Sequence, residues 1–214
     1  MPKSDLSVEE VVSMLGQVAD AIIAAEPELT DADRNLGDGD HGLGMKRGME
    51  AVKEILAEGG IESVDKAFTG MGMAMMSSMG GASGAVFGTL FRNGGKALKG
   101  KESFDAAGLS EFLKAGNEGV MSRGGAKPGD KTMIDALAPA AEKAAEFAGE
   151  PVSEALAAAA AAAEAGRDAS KDMIATMGRA KTLGEASVGH PDAGACSVAI
   201  ILRTMAAFAT SPSN

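Results

Sequence analysis

With 214 residues, 45% of them hydrophobic, the chain is long enough to bury a sizeable core. A net charge of −10 excludes the basic footprint of a nucleic-acid binder, and aromatics at 3%, with no Trp or Tyr, argue against a sheet-built core. The lone Cys196 excludes an internal disulfide and suits a reducing cytoplasm, and no run of 18 or more uncharged apolar residues offers a membrane span.

Eight helices are expected, in one all-α domain over residues 1–214. The opening residues carry no hydrophobic run that would serve as a signal. The first helix starts at a capping box, Ser7-Val-Glu-Glu10, whose hydroxyl and carboxylate satisfy exposed backbone donors. Leu6, Val11, Leu15, Val18 and Ile22 give it an apolar stripe, and Pro27 ends it. Beyond an aspartate-rich loop, a second helix is predicted over about 42–57, with Met45, Met49, Val52 and Leu56 inward and Gly59-Gly60 as its stop.

The third helix, about 62–77, holds Met71, Met73, Met75 and Met76, read as core filler. A fourth carries Val86, Phe87, Leu90 and Phe91, and a fifth spans about 106–121. The sixth, about 131–147, should kink at Pro139. Pro151 opens the seventh, expected to run to about 177 with Gly166 as its weak point. The eighth takes 195–209, with Cys196 as a buried structural thiol, and the tail from Ser211 should fray. Nothing suggests strands, internal repeats or a dividing linker.

The unusual residues fall in four loops, 31–44, 77–84, 122–133 and 178–194. In an up-and-down arrangement of helices alternate connections share an end, which puts all four at one rim. Three carboxylates, Asp33, Asp38 and Asp40, crowd the first loop. Such groups repel one another unless a hard cation such as Mg²⁺ takes them as oxygen ligands. The alternative is an acidic, solvated loop. His41 and the amides after it open a helix, where phosphate is favoured. Gly80-Gly-Ala-Ser-Gly84 offers further bare amides, with Ser83 as a hydroxyl donor. Gly124 and Met133 suit a flat base resting between a small residue and a thioether. Arg179 can neutralise phosphate, and Asp192-Ala-Gly194 opens the last helix.

Other motifs fail on spacing. Pro-Gly-Asp-Lys-Thr132 is not a Walker A loop, and an EF-hand from Asp31 would need Gly and Glu where Leu36 and Gly42 stand. His41 and His190 are too few for a His-based zinc site. A hydrolase triad of Ser83, His190 and Asp192 lacks a nucleophile elbow.

Together, Asp33-Arg-Asn-Leu-Gly-Asp-Gly-Asp-His-Gly42, Ser77-Ser-Met-Gly-Gly-Ala-Ser-Gly84, Ser122-Arg-Gly, Pro128-Gly-Asp-Lys-Thr-Met133 and Gly189-His-Pro-Asp-Ala-Gly-Ala195 resemble the nucleotide-binding L subunits of bacterial dihydroxyacetone kinases, of the phosphotransferase-linked type. The resemblance covers nearly the whole chain. It implies an eight-helix antiparallel up-and-down barrel with ADP or ATP and two Mg²⁺ ions at its rim. Asp33, Asp38 and Asp40 match the family's metal ligands. His41, Gly42, Leu43, Gly44, Ala82, Ser83, Gly124, Met133, Arg179, Asp192, Ala193 and Gly194 match its nucleotide contacts. Ala193 departs from the family's frequent Pro, which loosens that loop. No residue stands out as a catalytic nucleophile, and His41 is left as structural, phosphate donor or proton carrier.

In that family a phosphohistidine M subunit of the phosphotransferase system rephosphorylates the bound ADP. The K subunit holds the dihydroxyacetone acceptor. Two alternatives share the nucleotide domain: a kinase for another ketose, such as a tetrulose, using free ATP, and a nucleotide-binding partner of a transcription regulator. Neither involves nucleic acid or membrane.

Overall fold

A Ser7 hydroxyl accepting from the Glu10 amide, and the Glu10 carboxylate accepting in return from the Ser7 amide, start α1 (Val8–Ala24) at the expected capping box. The computed structural model describes residues 2–211, so Pro212 and the rest of the tail lie outside the described residues. Among these, nine α-helices form: α1, then α2 (Glu26–Arg34), α3 (His41–Glu58), α4 (Val64–Ser78), α5 (Gly81–Ala97), α6 (Ala106–Gly124), α7 (Ile134–Glu146), α8 (Val152–Ala169) and α9 (Ala193–Thr210). The all-α expectation holds.

The additional helix is α2. Pro27 does not end helical structure but stands in the first turn of α2, where its missing N–H would have had no partner. The expected seventh helix is shorter than predicted. As α8 it stops at Ala169, and a 3₁₀ turn over Ser170–Asp172 leads into an irregular segment. Two residues on each side pair as strands, β1 (Asp5–Leu6) antiparallel to β2 (Phe104–Asp105), where none was expected.

Setting α2 aside, the helices pack in chain order. α1 lies against α3, then α3 on α4, α4 on α5, α5 on α6, α6 on α7, α7 on α8 and α8 on α9. α9 returns to α1, which closes a ring of eight, and α2 lies across α3 and α9. One continuous apolar cluster fills the interior. The few aromatics are central to it: Phe68 and Phe112 stand 4.6 Å apart between ring centroids, with Phe104 and Phe91 against them. Met71 and Met75 are buried as expected, but Met73 is 63% exposed and Met76 37%, because a helix turns these positions outward. Leu56 is only half-buried.

By length and composition α9 is apolar enough to cross a membrane, with a mean hydropathy of 1.5, yet 67% of it is buried within the fold. Its apolarity is that of a core helix, and Cys196 is a buried free thiol whose titration burial pushes up to about 11.

Pro139 sits inside α7 without ending it. It has no N–H to give the Asp135 carbonyl one turn back, and α8 approaches that same carbonyl at Gly166. A Cβ at Gly166 would collide with Asp135 O, so this glycine is a close-packing point between α7 and α8 and not a weak one. Gly166→Ala should therefore destabilise the fold by roughly 1–3 kcal/mol through overpacking, despite alanine's better helix propensity. Urea unfolding of the variant checks this; an unchanged or raised midpoint would show that the helices separate without cost.

Candidate functional site

The α2–α3 junction assembles the acidic cluster. Asp33 lies in the last turn of α2, Asp38 in the connecting loop, and Asp40 at the N-cap of α3. Gly42, buried in the first turn of α3, has Thr30 Oγ1 and Glu26 O pressed where a Cβ would stand, which lets α2 lie directly on α3. The His41 amide then donates to Asp33 Oδ2 at 3.1 Å, orienting that carboxylate. Gly39 takes φ +75, a left-handed turn suited to glycine, and brings Asp40 back beside the others. One carboxylate oxygen from each of Asp33, Asp38 and Asp40 falls within 4.8 Å of the other two. Asp40 is held above the usual carboxylate range, first by desolvation and then by the charges of Asp38 and Asp33. Hard oxygen donors at this spacing fit a divalent cation. Arg179, mostly exposed, forms an ion pair with Asp38 from across the cleft.

Beside the cluster, His41 is buried and joins three elements. Its Nε2 lies 2.8 Å from Ser197 Oγ on α9, and its Nδ1 lies 3.2 Å from Ser83 Oγ on α5. Ser197 Oγ donates to Ala193 O at 3.2 Å, which leaves its lone pairs for an Nε2–H and makes Nδ1 the acceptor for Ser83. Burial lowers the His41 pKa and so favours this neutral ring. Ser83 thus pairs with His41 and not with His190, which removes the geometry of a hydrolase triad.

Two cavities meet at these residues. An apolar one of about 260 Å³ is lined by Val86, Phe87, Val120, Gly124, Ala126, Thr132, Met133, Ile134, Met177, Asp192 and Gly194. A more polar one of about 360 Å³ is lined by Asp40, Gly44, Arg47, Met79, Gly80, Gly81 and Arg179. His41, Ala82, Ser83 and Gly178 line both, so the two run into each other. All four loops singled out in the sequence contribute. Leu43, Gly42 and Ala193 line neither cavity: Leu43 is 50% exposed, Gly42 is under α2, and Ala193 is the buried first residue of α9.

Sequence reasoning missed what holds the walls. Lys131 is 2% exposed, and its ammonium donates to Ser170 O at 2.6 Å, His190 O at 2.7 Å and Met173 O at 3.2 Å. These bonds hold it at φ 59, left-handed for a residue that is not glycine. Asp135 accepts from the Gly129 and Thr132 amides at 2.6 and 2.8 Å, fixing the turn before α7. Asp130 accepts from Thr176 Oγ1 at 2.8 Å. The two loops of the apolar cavity are thereby stitched together. Lys131 was visible within Pro128–Met133, but a charge beside Pro-Gly ordinarily reads as solvated. Val86 and Phe87 have the helical spacing of core residues, which hides their place at the cavity wall.

Asp192 caps α9, its Oδ2 accepting from the Ala195 amide at 2.8 Å, while its own amide donates to Ser170 Oγ at 3.0 Å. The residue keeps some solvent contact, yet desolvation and the charge of Asp135 push its carboxyl up to about 7.

Residues 35–207 match the DAK2 domain family. The ADP-binding subunit DhaL of PEP-dependent dihydroxyacetone kinase from Escherichia coli (strain K12) is 38% identical over 203 residues, covering 94% of this chain and 97% of that one. The corresponding subunit of the PTS-dependent kinase from Lactococcus lactis is 32% identical over 200 residues, with the same coverage. The D-erythrulose kinase of Mycolicibacterium smegmatis is 36% identical over 193 residues, but the chain spans only 33% of that protein. The dihydroxyacetone kinase of C. freundii, solved in complex with AMP-PNP and Mg²⁺, superposes with a TM-score of 0.74 at 25% identity, covering 97% of this chain and 34% of that one.

Because the folded Asp192 carboxyl holds its proton to about 7, stability should fall as pH rises from about 4 to 7, where the unfolded chain has already lost that proton. Asp192→Asn keeps a good helix cap and removes the titration. Chemical denaturation at about pH 5 and pH 8 should show a smaller fall for the variant than for the parent. An identical fall in both would place the titration elsewhere.

Proposed function

We propose a function that proceeds from kinship: the chain belongs to the DAK2 domain family, with ADP-binding DhaL subunits among its full-length relatives. On that premise it is the nucleotide-carrying subunit of a dihydroxyacetone kinase, moving a phosphoryl group from an M subunit of the phosphotransferase system, through bound ADP and ATP, to dihydroxyacetone on a K subunit. The product is dihydroxyacetone phosphate. The reading places the chain in the cytoplasm, where its free Cys196 thiol is chemically at home.

The observation that carries this is the meeting of an apolar and a polar cavity, the latter bordered by Asp40, whose carboxylate lies within 4.8 Å of those of Asp33 and Asp38. The apolar cavity receives the base between Gly124 and Met133. The amides at Gly80–Ser83 face the phosphates. Bound Mg²⁺, taken here as two ions held by Asp33, Asp38 and Asp40, supplies charge neutralisation to the phosphates. The chain's own residues orient and exclude water: the His41 amide fixes Asp33, neutral His41 fixes Ser83, and Arg179 stands opposite the aspartates. Phosphoryl transfer needs positioning and charge compensation more than covalent help, which fits a site with no nucleophile of its own.

A second acceptor is favoured by the erythrulose kinases among the relatives, in which a tetrulose replaces the triose. With acceptor choice assigned to the K subunit, one preparation of this chain should serve different ketoses when the K partner is exchanged. Turnover assays over a panel of ketoses test that assignment.

Asp38→Asn and Asp40→Asn should each abolish Mg²⁺-dependent ADP binding while leaving helical content unchanged. Isothermal titration and circular dichroism read the two effects. Parental affinity in either variant contradicts the metal assignment.

A further inference from the structure

The cation on α3 that faces the polar cavity is unassigned by the function above. Arg47 lines that cavity together with Asp40, Gly80, Ser83 and Arg179, and its Nη2 donates to Met79 O at 3.0 Å. Among the described residues lining the cavity, Arg47 and Arg179 are the permanent positive charges. They differ in circumstance. Arg179 sits on a long loop and is paired with Asp38. Arg47 is on a helix, and its bond to Met79 O anchors it to the turn that precedes the Gly80–Ser83 amides. One edge of its forked guanidinium holds that carbonyl, and the other donors remain available.

Direction along the site follows from which residues the cavities share. Val120, Met133 and Ile134 border the apolar cavity alone. His41, Ala82, Ser83 and Gly178 border both, whereas Asp40, Arg47 and Arg179 border the polar cavity alone. A nucleotide with its base in the first would run its phosphates past Ser83 into the part bordered by Asp40, Arg47 and Arg179. Of the two arginines there, among the described residues, only Arg47 is free of an ion pair with the aspartates. We propose that Arg47 is the residue that holds the terminal phosphoryl group, so that it distinguishes a nucleoside triphosphate from a diphosphate. The proposal rests on the nucleotide-subunit reading and extends it to the group in transit.

The test compares Mg²⁺-dependent binding of ADP and of AMP-PNP by isothermal titration to the full chain, its Arg47→Gln variant and its Arg47→Lys variant. Gln removes the charge and keeps a donor for Met79 O; Lys keeps the charge and loses the fork. For Arg47→Gln, AMP-PNP affinity should fall tenfold or more, which is about 1.4 kcal/mol, with ADP affinity within about twofold of the parent. Arg47→Lys should recover part of the lost AMP-PNP affinity. A purely structural role, anchoring the Met79 turn, would weaken both ligands equally, and that outcome overturns the proposal, as does unchanged AMP-PNP binding. Failure of the unsubstituted chain to bind either nucleotide would instead overturn the underlying function, and the proposal with it. Loss of helical signal in Arg47→Gln would leave Arg47→Lys decisive: equal weakening of ADP and AMP-PNP there again overturns the assignment.

Discussion

The close approach of α2 to α3 is the contact on which the candidate site depends. Gly42 has no side chain where Thr30 and the Glu26 carbonyl press, and so the last turn of α2 reaches the first turn of α3. That brings Asp33 to the His41 amide, and the left-handed turn at Gly39 brings Asp38 and Asp40 beside it. The fold thus holds three like charges together, and desolvation first, then the charges of Asp38 and Asp33, raise the pKa of Asp40. A proton or a cation relieves their repulsion. Of the three, Asp33 is held by the His41 amide, while Asp38 and Asp40 are exposed beside it.

The opposite wall is built by a different device. Lys131, Asp135 and Asp130 direct charged or ionisable groups at backbone atoms rather than at one another. Main-chain partners cannot swing away as side chains do. A long segment with little regular structure, from Ser170 to Asp192, is thereby fixed against the turn that precedes α7. Met177, Gly178 and Asp192 line the apolar cavity from that segment.

Local rules made much of this legible. The capping box at Ser7, the glycine stops and the apolar stripes located most helices to within a few residues, and the four unusual loops converge on the two cavities. Elements set by tertiary contacts were not legible. Pro27 carries the same signal whether a helix ends or a new one begins, so α2 was missed. The Ala-rich α8 holds no strong breaker before Ala169, and where it gives way to a 3₁₀ turn Lys131 from a distant loop binds Ser170 O. Gly166 looked like a flaw in its helix because the partner that needs it bare, the Asp135 carbonyl, is on another element. The three aspartates were readable as a cluster because their spacing is short in sequence; Lys131 and Arg47 were not, because their partners are not.

A protein with a net charge of −10 is an unusual receiver for an anion. At long range its field opposes the approach of a nucleotide, although salt screens this beyond roughly 8–10 Å. Within the cavity Arg47, Arg179 and helix-terminal amides face the path proposed for the phosphates, but Asp40 lines it too, with Asp33 and Asp38 clustered beside it. In the proposed reading, two arginines cannot by themselves offset both the three aspartates and the incoming phosphates, so binding of the anion is coupled to binding of cations at Asp33, Asp38 and Asp40.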